Sequence, residues 1–228
     1  MIAESRPPTP SISIIVPALS ESGLESIATT FNNEPGVELV FALCIDDPST
    51  HAPEGCVSVR APRGRASQMN AGAKASSGDI LIFLHADTRI PPESLELVRG
   101  ALARPGVTAG AYLLRVEGEG LWRQFLSAGA NVRSRYLGLP FGDQAIFITR
   151  AVFQKIGGYE EVPILEDVRL IEEAARIGKI VILPVHAATS PRRWEERGIV
   201  ATTLRHWGIM IAYKMGASPR RLARWFTR

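Results

Sequence analysis

Hydrophobic positions along the chain fall first into short unbroken runs rather than alternating ones. "SISIIVPAL" (11–19), "VELVFALCI" (37–45), "CVSVRAP" (56–62) and "GDILIFL" (78–84) are β-branched and aliphatic stretches, bounded by Pro, Asp or Gly. Runs of this length without alternation predict strands covered on both faces. Between them the period changes to that of a helix. "SESGLESIATTFNN" (20–33) carries Leu24, Ile27 and Phe31 at helical spacing, with Ser20 or Ser22 available as a cap. "RGRASQMNAGAKASSG" (63–78) predicts a helix of small residues able to lie close against a sheet. "PPESLELVRGALARPG" (91–106) predicts a helix started by proline, with Leu95, Val98 and Leu102 on one face. Strand and helix in alternation predict right-handed βαβ units, hence an α/β fold with a mostly parallel central sheet flanked by helices.

The second half is more mixed. "AGAYLLRVEG" (109–118), "QAIFITR" (144–150) and "KIVILP" (179–184) read as strands, and "AVFQKIG" (151–157) as a short helix. "LEDVRLIEEAARIG" (165–178) is a helix closed by Gly178, with Arg169–Glu173 and Glu172–Arg176 expected as i,i+4 pairs. Near the C-terminus, Leu204, Trp207, Ile211 and Met215 share one helical face, flanked by Arg205, Lys214 and further arginines. That face is expected to pack onto the domain; a homodimer contact and an anionic membrane surface are the alternatives.

The 228 residues suit one domain, with residues 11–115 and 116–198 as its two halves and 199–228 as a helical tail. Net charge is +3, too mild to imply nucleic acid. Cys44 and Cys56 supply no disulfide framework, and the N-terminus lacks a signal peptide's apolar core. A cytoplasmic protein is expected, peripheral to the inner face of the membrane if the tail docks there.

In an open α/β sheet, ligands bind beyond the carboxyl ends of the strands. Four polar clusters fall there: Ser20/Glu21, Asp46/Asp47, the Arg63–Asn70 segment and His85/Asp87. Each alone reads more readily as helix caps, turn residues and solvated charges; their convergence is what suggests a site.

"SISIIVPALSE", "GRASQMNAGAKASSGDILIFLHADT", "GDQAIFITRAVFQKIGGY" and "LEDVRLIEEAARIG" stand in the order found in family 2 inverting glycosyltransferases. From residue 11 onward the chain resembles the branch called radical-SAM/selenodomain-associated transferase 2. The resemblance implies a GT-A fold, a nucleotide-sugar donor and a divalent metal, Mn²⁺ or Mg²⁺. It assigns donor contacts to Pro17, Ala18, Glu21, Asp46, Arg65, Gln68, Asn70, His85 and Asp87. The family's strand-end Asp-x-Asp pattern appears here as His85-Ala86-Asp87, so Asp87 is the implied metal ligand. Glu166-Asp167 matches the family's Glu-Asp motif, with Asp167 the implied base and Asp143 the alternative. Gly142, Asp143, Gln144, Arg193 and Trp194 are implied on the side of the acceptor, whose identity is open and includes a lipid.

Ser20 and Pro48 depart from the family's more common Asn and Gly, and His85 from its first Asp. Two other readings follow. A nucleotidyltransferase would carry a basic Gly-rich loop after the first strand, and "PALSESG" holds no basic residue. An inactive nucleotide- or sugar-binding protein would not need Asp87, Glu166 and Asp167 together.

Overall fold

A computed structural model describes residues 9–20 and 23–226. The first strand, β1 (Ile12–Ala18), is followed by α1 (Leu24–Phe31), β2 (Val37–Cys44), β3 (Val57–Ala61), α2 (Arg65–Ala75) and β4 (Ile80–Phe83). A two-residue strand β5 (Thr88–Arg89), a 3₁₀ turn (Pro92–Ser94), α3 (Leu95–Leu102) and β6 (Val107–Val116) come next. The second half comprises α4 (Leu121–Leu137), a 3₁₀ turn (Gly142–Gln144), β7 (Ile146–Thr149), α5 (Arg150–Lys155), α6 (Glu166–Ile177) and β8 (Lys179–Thr189). Helices α7 (Arg192–Arg197), α8 (Ile199–Lys214) and α9 (Pro219–Phe226) end the chain.

One sheet runs in the order β3-β2-β1-β4-β7-β6-β8-β5. Its first four strands are parallel, as the βαβ pattern requires. Beyond them β7 pairs antiparallel with both β4 and β6, while β6 and β8 are parallel. The sheet is thus mixed in its second half, and β8 extends five residues past the expected "KIVILP".

Alternate residues of β1 divide between the two faces. Ile12, Ile14 and Val16 join a core with α1 and α3, and Ile15 joins the core under α2, α5 and α6. Burial on both faces explains why β1, β2 and β4 do not alternate; β3, at the edge of the sheet, is mostly exposed, against expectation. Helix α2 lies close because its residues are small: a Cβ on Gly72 would sit 2.4 Å from Ile15 Cγ2.

Several expectations are corrected. Helix α4 was not foreseen. The pairs on α6 differ: Arg169 meets Glu160 at 2.5 Å, Arg176 meets Glu173 at 2.5 Å, and Glu172 accepts from Tyr213 and Lys214 of α8 at 2.6 and 2.7 Å. The α8 face carrying Leu204, Trp207, Ile211 and Met215 does not pack; it is exposed, and Thr202 and Ile209 are buried instead. Among the described residues helix α1 has no side-chain cap, and its first turn starts from Gly23; Ser22 lies outside the described residues.

Candidate active site

Strands β1 and β4 lie side by side in parallel, and β1 and β2 continue on the other side, so the topological switch falls between β1 and β4. Their carboxyl ends bring Pro17 and the His85–Asp87 turn to the same edge. The approach is tight. A Cβ on Gly23, which has φ 87°, would sit 2.2 Å from the Ala86 carbonyl oxygen, so this position excludes any side chain. Thr88 donates to the His85 carbonyl at 3.0 Å, and Ser190 to the Asp87 carbonyl at 3.2 Å. This turn leaves the Asp87 side chain exposed and the His85 ring buried, and both line a cleft of about 890 Å³.

The facing wall is built by the 142–144 turn and the start of α6. Asp167 Oδ2 accepts the Gly142 amide at 2.7 Å, and Oδ1 accepts the Val168 amide at 2.8 Å. A Cβ on Gly142 would lie 2.8 Å from His85 Nε2 and 3.4 Å from Asp167 Oδ2. The strand end of the first half and the acid pair of the second therefore meet across this glycine. The residue before the pair, Leu165, is a non-glycine residue at φ 65°, a conformation costing on the order of 1–2 kcal/mol. Such strain concentrates where side chains must be aimed. Glu166 is buried and also lines the cleft.

Among the described residues, five arginines and five acids line this cleft, along with His85 and His206: Arg63, Arg65, Arg89, Arg133 and Arg192 against Asp87, Glu117, Asp143, Glu166 and Asp167. Arg133 of α4 stacks its guanidinium 3.4 Å over the Phe141 ring and donates to the Leu139 carbonyl at 3.0 Å. Burial lowers its pKa from the usual arginine value, and the charges of Asp143 and Asp167 oppose that shift. Behind the acid pair, the Tyr159 hydroxyl is buried without a hydrogen-bond partner among the described residues. Burial first, then the charges of Asp167 and Glu166, push its pKa well above the usual phenol range. Neither Arg133 nor Tyr159 was found from the sequence; the stripe Leu121, Phe125, Val132, Tyr136 could have revealed α4, which carries Arg133.

Of the residues assigned from the sequence, Pro17, Arg65, Gln68, His85, Asp87, Gly142, Asp143, Glu166, Asp167 and Trp194 line the cleft. Trp194 also packs with Leu114, Val116 and Ala130, so it is core and wall at once. Several assigned residues serve the frame, Gln68 in addition to lining the cleft. Gln68 is buried, and its Nε2 donates to the carbonyls of Ala18 and Ala42 at 2.8 and 2.7 Å, clamping β1 to β2. Ala18 enters only through that carbonyl. Asn70 bonds both the amide and the carbonyl of Tyr159, at 2.9 and 2.8 Å, and ties α2 to that loop. Gln144 is wholly buried, accepting from Ser134 at 2.7 Å and donating to the Tyr112 carbonyl at 2.8 Å. Asp46 is exposed and does not line the cleft. Its neighbour Asp47 takes hydrogen bonds from Ser49 and Thr50 that lower its carboxyl pKa. Glu21 and the side chain of Arg193 lie outside the described residues.

The sequence and the fold are similar to those of known proteins. The model of the glycosyl transferase family 2 matches residues 13–157, more than half of the chain. No curated protein matches. Among solved structures, glucosyl-3-phosphoglycerate synthase from Mycobacterium tuberculosis, in complex with Mn²⁺, UDP-glucose and phosphoglyceric acid, is similar with a TM-score of 0.60 and 21% identity, over 87% of this chain and 80% of that one. Residues 1–349 of S. aureus TarS are similar with a TM-score of 0.57 and 16% identity, over 84% of this chain and 64% of that one. At such identities the likeness is one of fold, the GT-A fold of a mixed sheet flanked by helices; with the family match it makes this chain a glycosyltransferase of family 2.

Proposed function

We propose that the chain is a metal-dependent, inverting glycosyltransferase that takes its sugar from a nucleotide-sugar. The observation that carries this reading is the meeting of His85, Gly142 and Asp167 in a cleft also lined by Asp87 and five arginines. The order of the sequence blocks favours the radical-SAM/selenodomain-associated transferase 2 branch within the family.

Among the described residues, no three His, Cys, Asp or Glu side chains converge on one point. That fits a cation held by few protein ligands. Mg²⁺ keeps several waters and binds through one or two carboxylates plus substrate phosphates. Asp87 supplies the carboxylate, and His85 suits Mn²⁺, which also accepts imidazole. When bound, the metal neutralises charge on the diphosphate. Arg65 adds charge-assisted hydrogen bonds to the same group, which guanidinium geometry favours. Asp167 takes the proton of the acceptor hydroxyl as that oxygen forms its bond to the anomeric carbon. The nucleoside diphosphate leaves with the bonding electron pair and needs no proton. The Gly142 amide holds the carboxylate in place for that transfer.

The neighbouring synthase was solved with Mn²⁺ and UDP-glucose, which makes a uridine donor the first to try. A thermal-shift screen of UDP-, GDP-, dTDP- and ADP-sugars, each with Mn²⁺, Mg²⁺ or EDTA, tests the donor site on wild type and Asp87→Ala. Ligand at 100 times its Kd stabilises by about 2.7 kcal/mol, roughly 5–10 °C for a chain of this size. Metal-dependent stabilisation by one nucleotide class, lost in Asp87→Ala, is the expected result. No shift with any donor would sink the reading.

A further inference from the structure

Two helices beside the cleft expose apolar stripes to solvent. On α4, Leu121, Phe125, Val132 and Tyr136 follow one another by four, seven and four residues, and all are exposed. On α8 the stripe is Val200, Leu204, Trp207 and Ile211, continued by Met215. Single exposed apolar side chains are ordinary on a protein surface, but continuous stripes at helical spacing mark interaction faces. Both stripes reach the cleft: Phe125, 74% exposed, and Trp207, 52% exposed, also line it.

Within the two segments themselves the charge has one sign, although Lys214 is paired with Glu172 and Arg123 with Glu195. Residues 199–228 hold six Lys and Arg and no acid, and residues 121–137 hold three arginines and no acid. Helix α9 is anchored by Leu222, which is fully buried, and its Arg220, Arg221 and Arg224 are exposed. A second copy of the chain, itself of net charge +3, does not supply the negative surface that the exposed arginines of α9 call for. An anionic bilayer supplies what both features need, an apolar layer beneath a negative surface. Among the described residues no helix is long and apolar enough to cross a membrane, so the contact is in the plane of the interface.

We infer that α4 and α8, with the arginines of α9, form a docking surface for an anionic lipid bilayer, and that the cleft between them receives its acceptor from that bilayer. The acceptor is accordingly a lipid or lipid-linked molecule whose nucleophilic group sits at headgroup level, within reach of Asp167. This last step rests on the donor-site reading; the docking surface does not.

The test is co-sedimentation of the full chain with vesicles of phosphatidylcholine alone or with one third phosphatidylglycerol, at 0.05 and 0.5 M NaCl. Binding to the anionic vesicles, weakened by salt, is expected, and Leu204→Glu with Ile211→Glu lowers it about tenfold or more. Val132→Glu with Tyr136→Glu repeats the test on the other helix should the first pair fail to fold. Folding is read from the melting curve, and the donor site from the nucleotide-induced shift of the same variants. Vesicle binding without any donor shift supports the docking surface while rejecting the donor-site reading. Absence of binding, or binding equal in wild type and both folded variants, overturns the inference. So does self-association in sedimentation velocity that the same variants abolish, which would assign the stripes to a second copy.

Discussion

The backbone amide of Gly142 donates to Asp167 Oδ2 at 2.7 Å, while its α-carbon faces His85 so closely that a methyl group there would come within 2.8 Å of the ring nitrogen. One residue without a side chain thus spaces the imidazole from the carboxylate. Gly142→Ala must displace one of them, and misplacing a reacting group by about an ångström costs roughly 100-fold in rate. The expected outcome is a kcat about 100-fold lower, with a melting temperature only a few degrees down. Steady-state transfer kinetics on a folded variant check it; unchanged kcat would mean that these three residues do not surround the reacting centre.

Asp167 and Asp143 both line the cleft near Arg133, and the two oxygens of Asp167 are oriented by the backbone amides of Gly142 and Val168. Asp167→Asn is isosteric and removes the proton acceptor. A positioned general base is worth about 10²–10⁴, so kcat falls by that factor while the donor-induced thermal shift is retained. Asp143→Asn stays within about tenfold of wild type. The reverse ranking would move the base to Asp143.

The first half of the fold was legible because local signals agreed there: doubly buried strands without alternation, small residues on α2, and proline opening the segment before α3. The Asp87–His85 strand end and the Glu166–Asp167 helix start were legible for the same reason, being polar groups at the ends of readable elements. What escaped depended on distant partners. Gln68 and Asn70 carry side chains suited to a nucleotide, but their amides meet backbone carbonyls and an amide from other elements. Gln144 lies in a turn, and only the contacts from α4 and β6 show that it is buried. Helix α4, with few buried residues and a Gly-rich start, gave no core stripe, so Arg133 was hidden with it.

Gln68 is now a stability prediction. Gln68→Leu fills similar volume but leaves the Ala18 and Ala42 carbonyls without this donor. Losing a buried polar partner costs about 1–3 kcal/mol per group, so a loss of about 2–4 kcal/mol is expected, measured by urea unfolding. The donor-induced shift survives in the folded fraction. A variant as stable as wild type would show that the clamp is dispensable and return Gln68 to the ligand.

The Tyr159 hydroxyl makes no hydrogen bond among the described residues, although the ring is packed edge-on against Phe83 with centroids 4.8 Å apart. Tyr159→Phe removes an unsatisfied buried group and keeps the ring contacts. Stability is expected to hold or rise by about 1 kcal/mol, with kcat within a few-fold of wild type. A folded variant with turnover abolished would assign the hydroxyl to the reaction.

Glu38 joins three elements: it accepts from Ser13 Oγ of β1 at 2.5 Å, from Gly78 before β4 at 2.9 Å, and from the Ser77 amide. Burial alone would raise its pKa; the hydrogen bonds from Ser13, Ser77 and Gly78 outweigh that and lower it. The unfolded chain, with an ordinary glutamate value near 4.3, then binds more protons in this range than the folded one. The stabilisation is fully present above that value and disappears as pH falls through the lowered folded one. Glu38→Gln keeps the shape and gives up the charge-assisted bonds, for an expected loss of about 1 kcal/mol at pH 7, or roughly 2–4 °C. Melting curves from pH 7 to pH 3 should show the gap between wild type and variant constant down to about pH 5 and closing below it. A gap that does not narrow at all between pH 5 and pH 3 would mean that the loss comes from altered geometry at Ser13 and Gly78 rather than from the charge.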